Sequence, residues 1–403
     1  MSNLKKVVYS SLSRRRFLQT MAAAVSLPQL PETLAAAARR NGRRLVLVEL
    51  AGANDGLNTL VPFSDERYTE LRPSLALKPA DLVSIDADFA FNSSLVDLMQ
   101  GWEAGELAAL HGLGYPKPNR SHFKSIALWE TGGDGNRQQR HGWMTHAVEH
   151  AFAANRVDAH GISFGGGMSV FSSDSGNWLS LNTSRQLLAS FEPSGRSVNP
   201  GAPESSAALE LVTQRTMQLQ SSLDGFRRKL ADSKYRARIG GGKLAKQLNH
   251  VVNLINAGID TPVYKVSLGG FDTHENQSGR HNRLLKELGS SLAGFRQELI
   301  KSAEWENTVI MTYSEFGRRA RENLSGGTDH GTAAPHFITG GAVQGGLFGN
   351  APDLGDLDND DLKFTMDYRS VYATLLQNWL QVGDNKFSQY HDKRLRDLVP
   401  ANG

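Results

Sequence analysis

Two short stretches of the chain each pair an aspartate with a histidine, and such pairs are common ligands of divalent metal ions. Asp272 and His274 lie in "GGFDTHENQ", and Asp329 and His330 lie in "GGTDHGTAAPHFITGG" at 326–341. Mixtures of carboxylate and imidazole suit zinc and similar ions. The alternative is that these residues only bond to backbone groups in turns, where Asp is frequent. Both stretches are therefore candidate parts of a metal site.

Four further residues of chemically useful types lie next to apolar runs. Asn54 and Asp55 come shortly after "RRLVLVEL", and Glu315 comes shortly after "NTVIMTY". Ser121 lies between a proline-containing loop and the helical pattern "HFKSIALWETG". A helix N-terminus at Ser121 would stabilise an alkoxide and bind a phosphate. The alternative is that Ser121 is only a helix N-cap, and that Asn54 and Asp55 are hydrogen-bonding turn residues.

The composition limits what these residues can do. The 403 residues include no cysteine, which excludes disulfides, thiolate ligands and cysteine nucleophiles. The net charge of +3 is small for this length, and no dense basic stripe is interleaved with aromatic residues, so nucleic acid is not an expected partner. A hydrophobic content of 39% is enough for a substantial core.

The apolar runs predict an α/β fold. Five of them predict strands, at 43–50, 106–114, 261–270, 307–317 and 336–341. Between the third and fourth strands, Leu284, Leu288, Leu292 and Phe295 have helical spacing, which predicts a strand–helix–strand unit and therefore a parallel sheet. Ligands of such sheets bind beyond the carboxyl ends of the strands. The sequence therefore predicts a central, mostly parallel sheet flanked by helices, with the candidate residues gathered at one edge.

The segment at about 165–250 differs from the rest, because loop-like stretches such as "EPSGRSVNPGAPESS" frame helical ones. We interpret it as a helical insertion in a domain that spans 41–403. The tail stretch "DYRSVYATLLQNWL" predicts an amphipathic helix that covers the sheet.

The N-terminus resembles an export signal. In "SLSRRRFLQT", Arg14 and Arg15 precede the apolar pair Phe17 and Leu18, and small residues follow. This pattern resembles the twin-arginine motif; the alternative is a basic amphipathic helix. The apolar part is too short for a transmembrane helix, so no stable membrane span is expected. The prediction is a twin-arginine signal peptide and linker at 1–40, recognition by the twin-arginine export machinery and a periplasmic location.

Several stretches together resemble a known family. "VELAGANDGLN", "PNRSHFKSIALWETG", "GGFDTHENQ", "TYSEFGRR" and "TDHGTAAPHFITGG" are similar to a twin-arginine-exported family of unknown function that is related to the alkaline phosphatase and sulfatase superfamily. The resemblance covers nearly the whole chain after the signal. It implies an alkaline phosphatase/sulfatase-like sandwich around the predicted sheet.

The resemblance also implies roles for individual residues. Asp55 matches an aspartate that binds metal after the first strand, with Asn54 as a second contact. Ser121 is similar to the superfamily nucleophile, which opens a helix near the next strand. Asp272 and His274 match a pair that binds one metal. The implied cofactor is a divalent metal ion, with zinc expected first and manganese, magnesium or calcium as alternatives.

Two placements of the superfamily motif Asp-His-Gly compete. By residue identity, Asp329, His330 and Gly331 match that motif. By architecture, Glu315 and Phe316 stand in its place after the fourth strand, and His330 then resembles a later histidine that completes the first metal site. We favour the architectural placement. In this placement Phe316, which cannot bind metal, stands in place of a histidine ligand. A second metal site is therefore in doubt unless Asp329 or His336 provides the missing ligand. Without that role, His336 fits a core histidine.

The function implied is a periplasmic metal-dependent hydrolase of phosphate or sulfate esters. Ser121 would attack an anionic ester substrate, such as an ester of an envelope polysaccharide or lipid. A formylglycine sulfatase is disfavoured, because "HFKS" follows Ser121 in place of the modification motif. Two alternatives remain: a non-catalytic periplasmic binding or assembly protein on the same fold, and a transferase that moves phospho-groups between envelope polymers.

Overall fold

The computed structural model describes residues 42–135, 139–152, 157–182, 224–383 and 385–399. The described strands are β1 (Arg44–Ala51), β2 (Leu60–Val61), β3 (Leu82–Ser84), β4 (Ala90–Asn92), β5 (Leu107–Gly114), β6 (Gly161–Phe164), β7 (Trp178–Leu181), β8 (Val263–Gly269), β9 (Thr308–Tyr313), β10 (Ala334–Gly340), β11 (Gly346–Phe348) and β12 (Met366–Asp367). The α-helices are α1 (Glu66–Leu71), α2 (Met99–Glu103), α3 (His122–Thr131), α4 (Thr145–Phe152), α5 (Lys243–Asn256), α6 (Gln277–Lys301) and α7 (Tyr368–Thr374). Helical residues also occupy 224–232. The predicted signal peptide lies outside the described residues.

One large sheet organises the described part of the chain. Its strands lie in the order β11-β5-β10-β9-β1-β8-β6-β7, and β12 also pairs with β5. Strands β8 and β9 pair with β1 in parallel, as the strand–helix–strand pattern predicts. Strand β10 runs antiparallel to both of its neighbours, β5 and β9. The α/β class with a mostly parallel central sheet is confirmed, and each of the five predicted strands is present.

The two faces of the sheet are covered by different helices. Residues of β1 alternate between the faces: Val46 and Val48 pack with apolar residues of α5 and α6, whereas Leu45 and Leu47 pack with those of α3, α4 and α7. This alternation follows from the two-residue period of a strand. The result is a sandwich of helices, sheet and helices. Strands β2, β3 and β4 form a separate small sheet.

The predicted helical insertion at about 165–250 is only partly described. Its middle, 183–223, lies outside the described residues. In the described parts, β7 pairs with β6 at the end of the sheet, and α5 contributes Leu244, Leu248 and Val251 to the core. These parts therefore belong to the sheet and its cover, while the boundaries of an insertion remain a prediction.

The strand directions bring five connections to one edge of the sheet. The segments after β1, β5, β8 and β9 leave at the carboxyl ends of parallel strands, and β10 begins at that same edge because it runs in the opposite direction. The connections approach closely. Gly52 has φ +108°, and a Cβ there would lie 2.4 Å from the backbone nitrogen of Asp272, so a side chain would push the connections apart. No helix within the described residues is long and apolar enough to cross a bilayer.

Candidate metal centre

Three histidine rings meet at this edge of the sheet. The Nε2 atom of His330 lies 3.0 Å from that of His122 and 2.9 Å from that of His274. Oδ1 of Asp272 lies beside all three, at 3.6 Å from His122, 3.1 Å from His274 and 3.4 Å from His330. One ligand atom from each of His122, Asp272 and His330 falls within 4.8 Å of the other two. We call these four residues the centre.

The outer nitrogens of two rings are fixed by acceptors. Nδ1 of His330 lies 2.8 Å from the carbonyl oxygen of Arg120, and Nδ1 of His122 lies 2.6 Å from Oε1 of Glu315. A carbonyl or carboxylate oxygen only accepts, so each Nδ1 must carry the proton. In the neutral ring, Nε2 then has a bare lone pair that faces the centre. This assignment of protons follows from the partners.

His274 follows the same pattern on the other side of His330. Its Nδ1 lies 3.3 Å from Oδ1 of Asp329, which also accepts a hydrogen bond from the side chain of Asn323 at 3.1 Å. Its Nε2 is therefore free to bind an ion. Histidines that bind metal commonly donate their other N–H to a carboxylate or a carbonyl in this way.

The donor atoms fit a divalent metal ion. The ligand atoms that lie mutually close are one imidazole nitrogen each of His122 and His330 and one carboxylate oxygen of Asp272, and His274 lies outside this group. These are ligand types that zinc prefers, and bond lengths of about 2.0–2.1 Å separate two ligands of a tetrahedral ion by about 3.3 Å. The separations within the group, from 3.0 to 3.6 Å, bracket that value. Bare lone pairs at these distances repel one another unless a cation lies between them, so the geometry suits an ion.

The charged groups around the centre also favour the binding of a divalent cation. The carboxylates of Asp272, Glu315 and Asp329 all have lowered pKa values, because hydrogen bonds and nearby cationic groups outweigh the effect of burial. Of these three carboxylates, Asp272 is paired with the guanidinium of Arg318, and the charge of Arg319 acts on Asp329. A divalent cation at the centre would add to the positive charge that balances the carboxylates.

The pKa values of the rings reflect their partners. The hydrogen bond that His122 donates to Glu315, together with the charge of that carboxylate, raises the pKa of His122 against the opposing effect of burial. Burial lowers the pKa of His330, and the charge of Arg318 adds to that effect. His122 therefore holds a proton more readily than His330 does when no metal competes.

Arg318 joins the connections that carry the centre through buried hydrogen bonds. Its side chain is fully buried, and Nη2 lies 2.6 Å from Oδ1 of Asp272. Its other donors bind the carbonyl oxygens of Gly52, Ala53 and Thr328, which belong to the connection after β1 and the one before β10. Arg318 is therefore an interior residue, because its Nε, Nη1 and Nη2 atoms all donate to groups in the junction of the connections.

Ser121 stands at the rim of the centre. It occupies the N-cap position of α3, and its side chain accepts no capping hydrogen bond from the helix. Its neighbours on both sides take part in the centre: the carbonyl of Arg120 binds His330, and His122 supplies an imidazole. The residue is exposed. Ser121 is therefore next to the candidate ligands, with its hydroxyl not committed to capping.

Asp55 and Asn54 are not brought to the centre. Oδ2 of Asp55 is bound by Arg72 at 2.6 Å and by Gln277 at 2.5 Å, and Asn54 is bonded to His281 at 2.9 Å. All of these side chains are buried. The two predicted ligands therefore belong to an internal polar network behind the centre, in which a guanidinium provides the positive charge expected from a metal ion.

Glu315 and Asp329 lie one step out from the centre, where each orients a histidine. Strand β9 ends at Tyr313 and Glu315 follows it, which is the order that the architectural placement uses; the placement itself stays a prediction. Phe316 packs against the rings of His122 and His330, with centroids 5.0 and 4.8 Å away. An apolar ring therefore lies beside two histidines of the centre.

Two further histidines were not among the ligands predicted from the sequence, and the structure places them differently. Nε2 of His122 lies at the centre. The signal that could have found it is its place beside Ser121 at the start of a helix that begins at this edge of the sheet. His336 is a core residue, as predicted, although neither ring nitrogen has a hydrogen-bond partner among the described residues.

The fold and this site define an α/β protein with metal-ligand side chains at the carboxyl edge of its sheet. The chain belongs to the family described as "Protein of unknown function (DUF1501)", whose model matches residues 107–399. No curated protein matches the chain. The predicted membership of a family of unknown function is thereby confirmed, and twin-arginine export stays a prediction.

Solved structures similar to this chain include a protein in the alkaline phosphatase superfamily from Vibrio parahaemolyticus, with 12% identity, a TM-score of 0.34 and coverage of 77% of this chain and 63% of that one. A sulfatase, PsFucS1 from Pseudoalteromonas sp., has 11% identity, a TM-score of 0.39 and coverage of 92% and 77%. The C-terminal periplasmic domain of EcEptC from Escherichia coli, in complex with Zn, has 9% identity, a TM-score of 0.37 and coverage of 90% and 88%. The function proposed below rests on this chain's own side chains.

Proposed function

We propose that this chain is a metal-dependent hydrolase of phosphate or sulfate esters that uses Ser121 as its nucleophile. The observation that carries the proposal is the approach of three histidine Nε2 atoms to within 3.1–3.6 Å of Oδ1 of Asp272. The centre is open to solvent, because the side chains of Asp272 and His274 are each 46% exposed. A substrate can therefore reach an ion held there.

Helix α3 supplies the reacting group and part of the anion site. Ser121 begins this ten-residue helix, whose first N–H groups are left unbonded by the serine side chain. Such N–H groups, together with the positive end of the helix dipole, bind the anionic oxygens of a phosphate or sulfate. The hydroxyl oxygen of Ser121 would form a bond to phosphorus or sulfur as the ester alcohol leaves, and water would then cleave the enzyme ester.

A bound divalent ion would lower the pKa of the serine hydroxyl and stabilise charge on the transferring group. The remaining work falls to the chain itself. Glu315 keeps His122 in the tautomer with a bare Nε2, and Arg318 keeps the Asp272 carboxylate ionised and in position. Phe316 supports one ion rather than two, because it fills the second position with an apolar ring.

The test begins with protein purified without chelators. We expect about one zinc or similar ion per chain by mass spectrometry of the metal, and turnover of an aryl phosphate or aryl sulfate with zinc, manganese, magnesium or calcium. His330→Ala should lose both the ion and the turnover, whereas His391→Ala, a change of an exposed histidine, should keep both. A wild type without metal and without turnover would favour the non-catalytic binding protein instead.

We also propose that the chain acts in the periplasm after twin-arginine export, with an envelope ester as substrate. The paired Arg14 and Arg15 support this. Replacing both with lysine should leave the precursor in the cytoplasm, as cell fractionation would show. Normal export of that double variant would refute the assignment.

A further inference from the structure

The most exposed apolar side chains lie beside the centre. Among the described residues, Leu324 is 108% exposed and Phe123 is 88% exposed, and the next large apolar residue is Val96 at 53%. Isolated exposed apolar residues are common, but these two stand well apart from the others. Their positions are therefore worth relating to the site.

Phe123 and Leu324 each follow a residue that contacts the centre or supports it. Phe123 follows His122 directly in the first turn of α3. Leu324 follows Asn323, whose side-chain amide donates to the carbonyl oxygen of His274 at 2.9 Å. Since His122 and His274 both contact Nε2 of His330, the two apolar residues are tied to the same site through their neighbours in the chain.

The loop that carries Leu324 is held firmly in place. The side-chain oxygen of Asn323 accepts hydrogen bonds from the backbone N–H groups of Ser325 and Gly327 at 2.9 and 3.1 Å. Its side-chain nitrogen also bonds to Asp329, which orients His274. The hydrogen bonds of Asn323 therefore support the centre and also hold the loop that exposes Leu324.

Basic residues accompany the apolar ones. The stretch 117–124, "KPNRSHFK", contains no acidic residue; its Lys117 and Lys124 are exposed, as is Arg120, which also pairs with Asp361. Protruding apolar side chains with basic neighbours suit the surface of an anionic bilayer, into which apolar groups insert while cations meet the headgroups. A small soluble ligand would instead need a concave apolar site.

We propose that Phe123 and Leu324 insert into an anionic lipid surface, and that the centre takes its substrate, an ester of an anionic lipid, from that surface. The lipid headgroup would reach the centre between the two apolar contacts. The identity of the substrate rests on the proposed function, whereas the binding to lipid does not.

The experiment measures sedimentation of the full chain with vesicles of equimolar phosphatidylglycerol and phosphatidylcholine at low salt. We expect the wild type to bind these vesicles and to bind pure phosphatidylcholine less. The double variant F123S/L324S should bind at least about tenfold more weakly, because two inserted apolar side chains are lost. Its metal content should stay that of the wild type, which separates loss of lipid contact from loss of the centre.

The matched control is V96S/I300S, which removes two other exposed apolar side chains. The start of α6 bonds to the Leu324 loop, and Ile300 lies 23 residues further along the helix, so it is roughly 35 Å away at 1.5 Å per residue. This control should bind vesicles within about twofold of the wild type.

Three results would overturn the proposal: no binding by the wild type, equal loss in the control, or full binding by F123S/L324S. Turnover of a soluble aryl ester without vesicle binding would refute the lipid surface while leaving the hydrolase intact. Vesicle binding by a chain that holds no metal and turns over no ester would refute the hydrolase, and with it the lipid-ester substrate, while leaving the lipid contact intact.

Discussion

The side chains of His122 and Glu315 are joined by a 2.6 Å contact between Nδ1 and Oε1, although 193 positions separate them in the chain. The same Oε1 accepts the backbone N–H of Gly52 at 2.9 Å. Glu315 therefore ties helix α3 to the connection after β1 and at the same time directs the bare nitrogen of His122 toward the centre. Its role is to hold a ligand rather than to be one.

Glu315→Gln should weaken metal binding without removing a ligand. The amide lacks the negative charge that fixes the His122 tautomer, and loss of such a partner typically costs about 10–100-fold in metal affinity. Competition with a chromophoric chelator would measure this change. The matched control is Glu103→Gln, which alters an exposed carboxylate of α2 and should leave affinity unchanged. An unchanged affinity in Glu315→Gln would mean that the contact only packs the helix.

Most of the sheet was predictable because its signals are local. The apolar runs of β1, β5, β8, β9 and β10 are continuous enough to be recognised as buried strands, and the leucine spacing in α6 identifies the crossover. The direction of β10 could not be read from its own residues. It depends on its pairing with β5 and β9, which are distant in sequence.

The candidate site was predictable only in part. Asp272, His274 and His330 could be found because they follow or precede strands at one edge. The role of Arg318 could not, since its partners are backbone carbonyls of connections from three parts of the chain. The fate of Asp55 depends on Arg72, which is 17 positions away and buried against it, and no local pattern predicts that ion pair.

Asp55 and Asp272 should respond differently to the loss of their charge. Asp55→Asn leaves the buried guanidinium of Arg72 without its carboxylate, which should lower the free energy of unfolding by about 3–5 kcal/mol with metal content unchanged. Asp272→Asn should lower metal content and, through it, the melting temperature, because a metal that binds only the folded state stabilises it. Loss of metal in Asp55→Asn would instead indicate that Asp55 is one of the metal ligands.

His336 should make the protein sensitive to acid. Burial lowers its pKa to about 3, and neither ring nitrogen has a partner among the described residues. An unfolded histidine titrates near 6.5, so between about pH 6.5 and 3 the unfolded state binds a proton that the folded state does not. Stability should therefore fall as pH decreases through this range, by about 1.4 kcal/mol per pH unit.

The phenylalanine variant isolates that effect. His336→Phe keeps an aromatic ring against Trp129, whose ring centroid lies 5.3 Å away, and removes the titration. Denaturant unfolding at pH 6 and at pH 4 should show a smaller loss of stability in the variant than in the wild type. An equal loss in both would mean that other groups account for the acid sensitivity.

Ser121 is the residue for which two roles predict opposite results. If it acts only as an N-cap, Ser121→Ala should cost about 0.5–2 kcal/mol of stability, and Ser121→Asp, a good cap, should restore it. The side chain makes no capping hydrogen bond, so we expect little change in melting temperature for either variant.

If Ser121 is the nucleophile, both variants should lose turnover of the aryl ester, and aspartate should not restore it. Metal content measured on the same samples should equal that of the wild type, because Ser121 is not among the ligands. Retention of activity by Ser121→Ala in a preparation with full metal would show that the attacking group is another residue or water.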